Sequence, residues 1–326
     1  MTLGAPSGQA MKGGGMGDDE SYGFTGDTPQ RTGRDGSRAG DAHDASAAAA
    51  AAAAVKSGTT GVTGELRDDR YVGGRDLTRW YTPIGRLAAG VARRVGARFG
   101  PNAALIITLL VGMAIAIILS VLAVWVYDSV TDSDGVAGFD RPLLAAAIEL
   151  RSPLADLLAT GYTDVAGPIG MPVLAIASLL FLSIRRRSWT PTILIAAAGT
   201  GSLLMTIAGK QFIGRTRPPL VDAVPPFEYS PSFPSGHALN AVVVAGVVAY
   251  LLILRQRRVR VRVAVIAIAT VFAVTIGISR VFLGHHWFTD VLAAWALGAA
   301  WLALVVTAHR LYLTVRKRVE PPVSAL

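Results

Sequence analysis

The chain has no cysteine among its 326 residues, so disulfides, thiolate nucleophiles and cysteine-ligated metals are all excluded. Charge is also scarce. Only 16% of the residues are Asp, Glu, Lys or Arg, against 52% hydrophobic and a mean hydropathy of +0.46. A soluble domain of ordinary composition carries more charge than this, and the balance indicates an integral membrane protein. The net charge of +9 and pI near 10.2 do not point to nucleic acid, because the basic residues gather at the ends of apolar runs rather than on one basic face.

Six apolar runs stand out, at about 104–126, 167–184, 190–208, 238–254, 263–279 and 291–308. Each is roughly 17 to 23 residues, the length that crosses a bilayer core as a helix. The expected fold is therefore all-α: an integral membrane bundle of six transmembrane helices spanning 103–311. Residues 1–74 are rich in Gly, Asp, Ser and Ala, with a run from Ala47 to Ala54 that is too short and too weakly apolar to span. They lack the basic start and apolar core of a signal peptide and read as a disordered cytoplasmic tail. Within 75–102, the apolar residues Leu77, Trp80, Tyr81, Ile84, Leu87, Val91, Val95 and Phe99 recur every three or four positions between arginines. This pattern fits a basic amphipathic helix on the inner membrane surface and equally a juxtamembrane linker. Residues 312–326 form a basic cytoplasmic C-terminal tail. Between the first two spans, 143–158 is rich enough in Leu and Ile to lie on the outer surface as a short helix pair broken at Pro153.

Orientation follows from the flanks. One set of span ends holds seventeen basic residues, among them Arg185 to Arg187 and Arg255 to Arg262. The opposite set holds only six: Arg141, Arg151, Lys210, Arg215, Arg217 and Arg280. The positive-inside rule then puts both termini in the cytoplasm. Most of the six outer basic residues need another reason for their position.

They lie in three polar stretches. Lys210 is followed after six residues by Arg217-Pro218; Pro234-Ser235-Gly236-His237 opens the fourth span; and Ser279 to Asp290 carries Arg280, His286 and Asp290 between two apolar runs. If the last helix begins near His286, Asp290 falls one turn further on the same face, where a carboxylate can fix the imidazole tautomer. Lys210, Arg217 and Arg280 supply cations suited to phosphate oxygens. The backbone amides of Ser235 and Gly236 at a helix start suit an anion as well. Taken singly, each stretch also fits a helix cap or a basic residue snorkelling to headgroups.

Together and in order, the three stretches resemble the signature motifs of the type 2 phosphatidic acid phosphatase family, which shares its site with the vanadium haloperoxidases. The resemblance covers about 167–308. It implies a membrane lipid phosphatase acting through a phosphohistidine, with catalytic His286, His237 and Asp290. His286 would be the nucleophile, Asp290 its orienting carboxylate and His237 the general acid. Lys210, Arg217, Ser235, Gly236 and Arg280 would bind the substrate phosphate. Arg215 fits the spacing less well and reads as a flanking charge, and His285 is out of register with the motif.

The expected substrates are lipid phosphomonoesters or diphosphates of the phosphatidic acid, phosphatidylglycerol phosphate or polyprenyl diphosphate type, hydrolysed at the extracytoplasmic face of the cell membrane. Membrane lipids are the expected partners and nucleic acid is not. No cofactor or metal is expected, because three cations would repel a divalent ion and no Glu or second carboxylate stands in these motifs. A lipid phosphotransferase with the same intermediate and a non-enzymatic membrane transporter are the alternatives. No ionisable residue lies near the middle of any apolar run, which argues against the transporter.

The flank asymmetry makes a direct prediction. In intact cells a cysteine placed beside Asp134 should react with a membrane-impermeant thiol reagent and one beside Gln256 should not; the reverse labelling pattern would invert the orientation.

Overall fold

The structure, a computed structural model, describes residues 69–130 and 136–316. Most of the expected 1–74 tail, including the alanine run, lies outside the described residues, as do 131–135 and 317–326. Apart from a two-residue antiparallel hairpin, β1 (Tyr71–Val72) and β2 (Arg75–Asp76), the described elements are helical. In order they are α1 (Pro83–Phe99), α2 (Pro101–Val130), α3 (Asp140–Glu149), α4 (Pro153–Asp164), α5 (Gly170–Arg186), α6 (Thr190–Ile213), α7 (Gly236–Leu254), α8 (Val259–Phe282) and α9 (Phe288–Arg316), with short 3₁₀ turns at Val136–Phe139 and Leu220–Asp222.

Among the described residues, four helices, α6 to α9, are long and apolar enough to cross a membrane. Helices α2 and α5 coincide with the other two apolar runs. α7 is the centre of the bundle, packed against α5, α6, α8 and α9. Its Leu239, Val243, Val247 and Leu251 are buried in the main core with Leu194, Ile195, Trp301 and Val305. Lipid tails are as apolar as leucine, so close approach and specific hydrogen bonds have to hold such helices together. Trp301 shows both. Its indole lies against Gly201, where any side chain would collide with it, and its Nε1 donates to the Ala198 carbonyl at 3.1 Å.

The expected amphipathic segment starts later than its apolar pattern, because Thr82 caps the helix by accepting from the Gly85 amide at 3.1 Å and Pro83 occupies the first turn. The small residues Gly85, Ala89, Ala92 and Gly96 face the protein, while Ile84 and Leu87 are 80% and 70% exposed. Ahead of it, Trp80 is pinned to α9: its Nε1 donates to Thr314 at 3.0 Å and Arg310 lies over its ring. Asp69, fully buried, pairs with Arg186 at 3.1 Å and Arg255 at 2.8 Å.

The loop after α2 holds two short helices, α3 and α4, as the Leu and Ile content and Pro153 suggest. Ser152 caps α4, accepting from the Ala155 amide at 3.3 Å. Arg151, between them, donates to the carbonyls of Phe282 at 2.8 Å and Asp222 at 2.7 Å. This ties the pair to the end of α8 and to the loop between α6 and α7, the two segments that carry the polar motifs.

Candidate active site

The three polar stretches converge at one end of the bundle. α6 ends at Gly214 in the left-handed conformation (φ 60°), which turns the chain away from the helix axis and sends Arg215 and Arg217 back across the helix ends. α8 ends at Leu283 and Gly284 (φ 69°), where a side chain would strike the Asp222 carbonyl. This turn delivers His285 and His286. The last helix begins at Phe288, two residues later than the sequence pattern suggests, so His286 lies in the connecting turn and not on the helix. Asp290 sits in the first turn and reaches back to accept from the Trp287 amide at 3.0 Å, as the third helical residue does in a capping box. The same carboxylate oxygen lies 3.6 Å from His286 Nδ1, so the expected pairing survives the later helix start.

Asp290, fully buried, is the node of the site. Ser232 donates to its Oδ2 at 2.5 Å and lies 3.4 Å from His286 Nδ1. Arg215 donates to its Oδ1 at 2.6 Å. This corrects the reading of Arg215 as a flanking charge. Its other guanidinium nitrogen pairs at 2.8 Å with Asp140, the first residue of α3, and Asp140 also accepts from the amide and hydroxyl of Thr289 at 2.9 and 2.7 Å. Arg215 therefore ties the carboxylate beside His286 to the extra-bundle helix pair.

With Nδ1 held on that side, His286 Nε2 faces Arg217, 3.4 Å from its Nη1. Burial pushes the imidazole down to about 4; Asp290 opposes the shift, and Arg280 and Arg217 add to it. The ring is neutral above that pH, with a lone pair available for attack. Arg217 is held by the carbonyls of Ser230 at 2.6 Å and His285 at 2.5 Å. Lys210 donates to Ser230 Oγ at 3.0 Å and the Pro231 carbonyl at 2.5 Å. His285 plays a structural part, its Nε2 bonded to the Val224 carbonyl at 2.7 Å.

The expectation of no Glu or second carboxylate near these motifs is corrected by Asp140 and also by Glu228, in the loop between α6 and α7. Glu228 pairs with Arg217 at 2.7 Å and with Arg280. Burial would raise its carboxyl, but Arg280 and Arg217 outweigh that and hold it at about 2. Among the buried polar atoms that lack a hydrogen-bond partner in the described residues are three at this site, Ser235 Oγ, Arg280 Nε and His285 Nδ1. Ser235 occupies the cap position of α7 without making the usual side-chain bond, which leaves its hydroxyl for another acceptor. Such orphaned groups beside clustered cations fit an anion.

Lys210, Gly236, His237, Arg280 and His286 line one cavity of about 1000 Å³. Glu228 and Ser230 line it as well, and the rest of its wall is mostly apolar, with Met171, Ile176 and Leu179 of α5, Ile195 and Leu203 of α6, and Val244 of α7 interrupted by Asp164, Thr200 and Asn240. From Lys210 back to Ile195 the cleft follows α6 for roughly 22 Å at ~1.5 Å per residue.

Residues 190–312 match the family model of the PAP2 superfamily. The chain is 36% identical over 177 residues to phosphatidylglycerophosphatase B of Bacillus subtilis (strain 168), an alignment covering 53% of this chain and 84% of that protein. This chain belongs to the PAP2 superfamily. Undecaprenyl-diphosphatase of Sulfolobus acidocaldarius is 36% identical over 80 residues, 24% of this chain and 33% of that protein. The crystal structure of the transmembrane PAP2 type phosphatidylglycerolphosphate phosphatase from Bacillus subtilis superposes with a TM-score of 0.50 at 31% identity, covering 60% of this chain and 92% of that one. With its apolar helices, this PAP2 chain is a multi-pass membrane phosphatase.

Four residues of this PAP2 site escaped the sequence reading: Arg215, Asp140, Ser232 and Glu228. Arg215 stands two residues before Arg217, and its basic charge on the positive-poor side was the available signal. Asp140 lies far from every motif and has no local signal. The PAP2 geometry separates the two arginines. Arg215→Gln should lower kcat on a short-chain phosphatidate by about 100-fold with little change in KM, because a buried carboxylate loses its counter-charge without any loss of a cavity-facing group. Arg217→Gln should raise KM. Steady-state kinetics on detergent-purified variants of matched thermal stability check this, and a KM defect in Arg215→Gln would place that residue on the substrate instead.

Proposed function

We propose that this protein hydrolyses a lipid phosphomonoester or diphosphate at the extracytoplasmic face through a phosphohistidine on His286. The observation that carries the reading is the polarity of that imidazole: Asp290 and Ser232 stand at Nδ1, while Nε2 is directed to Arg217. In the first step Nε2 attacks phosphorus and the bond to the leaving oxygen breaks. His237 gives that oxygen a proton, and Asp290 stabilises the charge that the ring acquires. In the second step His237 takes a proton from water, the water oxygen attacks phosphorus, and the P–N bond breaks to release orthophosphate. Arg217, Arg280 and Lys210, with Ser235 and the amide of Gly236, would hold the phosphoryl oxygens. No step calls on a metal.

The apolar cleft supports a lipid substrate, since its length of roughly 22 Å is more than the thickness of one leaflet's hydrocarbon, ~15 Å. The relatives' names, phosphatidylglycerophosphatase and undecaprenyl-diphosphatase, support a phosphomonoester or diphosphate headgroup. In this reading α2 and α5 complete six spans, both termini are cytoplasmic, and α1 rests on the inner surface with Ile84 and Leu87 toward lipid.

Trapping the intermediate tests the chemistry. With ³²P-labelled phosphatidate in EDTA and an alkaline quench, the wild type should yield an acid-labile phosphoenzyme that His286→Ala abolishes. His237→Ala should still form it with a p-nitrophenyl phosphate or diphosphate donor, whose leaving group needs little protonation, while losing most turnover of alkyl phosphomonoesters. A labelled His286→Ala enzyme, or a wild type silenced by EDTA and restored by zinc, would overturn the mechanism.

A further inference from the structure

A carboxylate already sits where a phosphate group would bind. Glu228 spans Arg217 and Arg280 with its two oxygens, and its segment is built to let go. Val224 is anchored by its amide to the Leu283 carbonyl at 2.9 Å, and Ser230 is anchored by Arg217 and Lys210. Between these points, among the described residues, 225–229 makes no backbone hydrogen bond to another segment. Tyr229, next to Glu228, is 81% exposed. The carboxylate can therefore leave its arginines by a movement of five residues that breaks no secondary structure.

We propose that Glu228 is a specificity-determining residue: an internal anion that holds Arg217 and Arg280 until a terminal phosphate group displaces it, and that returns to expel orthophosphate after hydrolysis. The inference rests on the assignment of Arg217 and Arg280 to the substrate phosphate. Two like charges cannot share one pair of guanidinium forks at contact distance, so headgroup and carboxylate exclude each other there. Glu228 remains ionised at every ordinary pH, so protonation does not open the site and the incoming anion must do so. A phosphomonoester, with a charge of about −1.5 to −2 at neutral pH, competes for the arginines better than a phosphodiester with a single charge. Glu228 thus disfavours the far more abundant diester lipids of the surrounding bilayer. It also weakens the hold on product.

The test measures inhibition by orthophosphate, and by a diester lipid, of phosphatidate hydrolysis by the purified full chain. Glu228→Gln and Glu228→Ala should each lower the Ki for orthophosphate by about tenfold, the scale of one charge-assisted contact, and lower KM for phosphatidate. Inhibition by the diester should strengthen by a larger factor than substrate binding does. Glu228→Asp, which keeps the charge on a shorter arm, should fall between these variants and wild type. If both neutral variants leave the Ki for orthophosphate unaltered, or lose kcat instead of KM, the inference is overturned while the phosphatase reading stands. If orthophosphate does not compete in the wild type, the phosphate site itself is misassigned and the inference falls with it.

Discussion

Charge neutrality at the polar end of an apolar bundle is the constraint on which the site depends. Lys210, Arg215, Arg217 and Arg280 lie together at the ends of membrane helices, where uncompensated charge is costly. Two carboxylate systems answer them. Asp290 and Asp140 flank Arg215, while Glu228 bridges Arg217 and Arg280. The first system is closed: Arg215 has both sides of its guanidinium occupied by buried acids, and the result is a rigid brace behind His286. The second is half-exposed, with the Glu228 side chain 30% accessible, and sits on a loop tip.

This division assigns different physics to similar residues. A guanidinium fixed between two buried carboxylates serves orientation, because separating any member would leave a charge uncompensated. Arg217 and Arg280 instead meet a partly exposed carboxylate on the loop between α6 and α7. The imidazole between them is kept neutral by burial and nearby cations, with the Asp290 carboxylate beside one of its nitrogens. Behind this polar layer, small residues such as Gly201 let α6 and α9 close on each other, whereas α5 and α6 leave the apolar cleft between them.

The helices and the three motif stretches were legible in the amino-acid order, because both signals are local. A run of apolar residues long enough to cross a bilayer declares itself by length, and Lys210 to Pro218, Pro234 to His237 and Ser279 to Asp290 declare themselves by spacing. The interruption at Pro153 could be read as well, since proline geometry acts within a few residues, whereas the apolar pattern of 77–99 did not reveal that Gly85, Ala89, Ala92 and Gly96 are the residues of α1 that face the protein. The small shift in the start of α9 arose from a local competition: Asp290 caps the Trp287 amide, so the helix begins after His286.

Which charges meet across the fold was a different matter. By itself, the order of residues determined a helical membrane protein with a phosphate-type motif set, and which histidine stands four residues before an aspartate. Only the tertiary structure decided that Arg215 braces Asp290, that Asp140 reaches the site from a remote helix, and that Glu228 occupies the arginines. Those pairings join residues up to 149 positions apart, and electrostatic attraction depends on distance in space, which no spacing along the chain encodes.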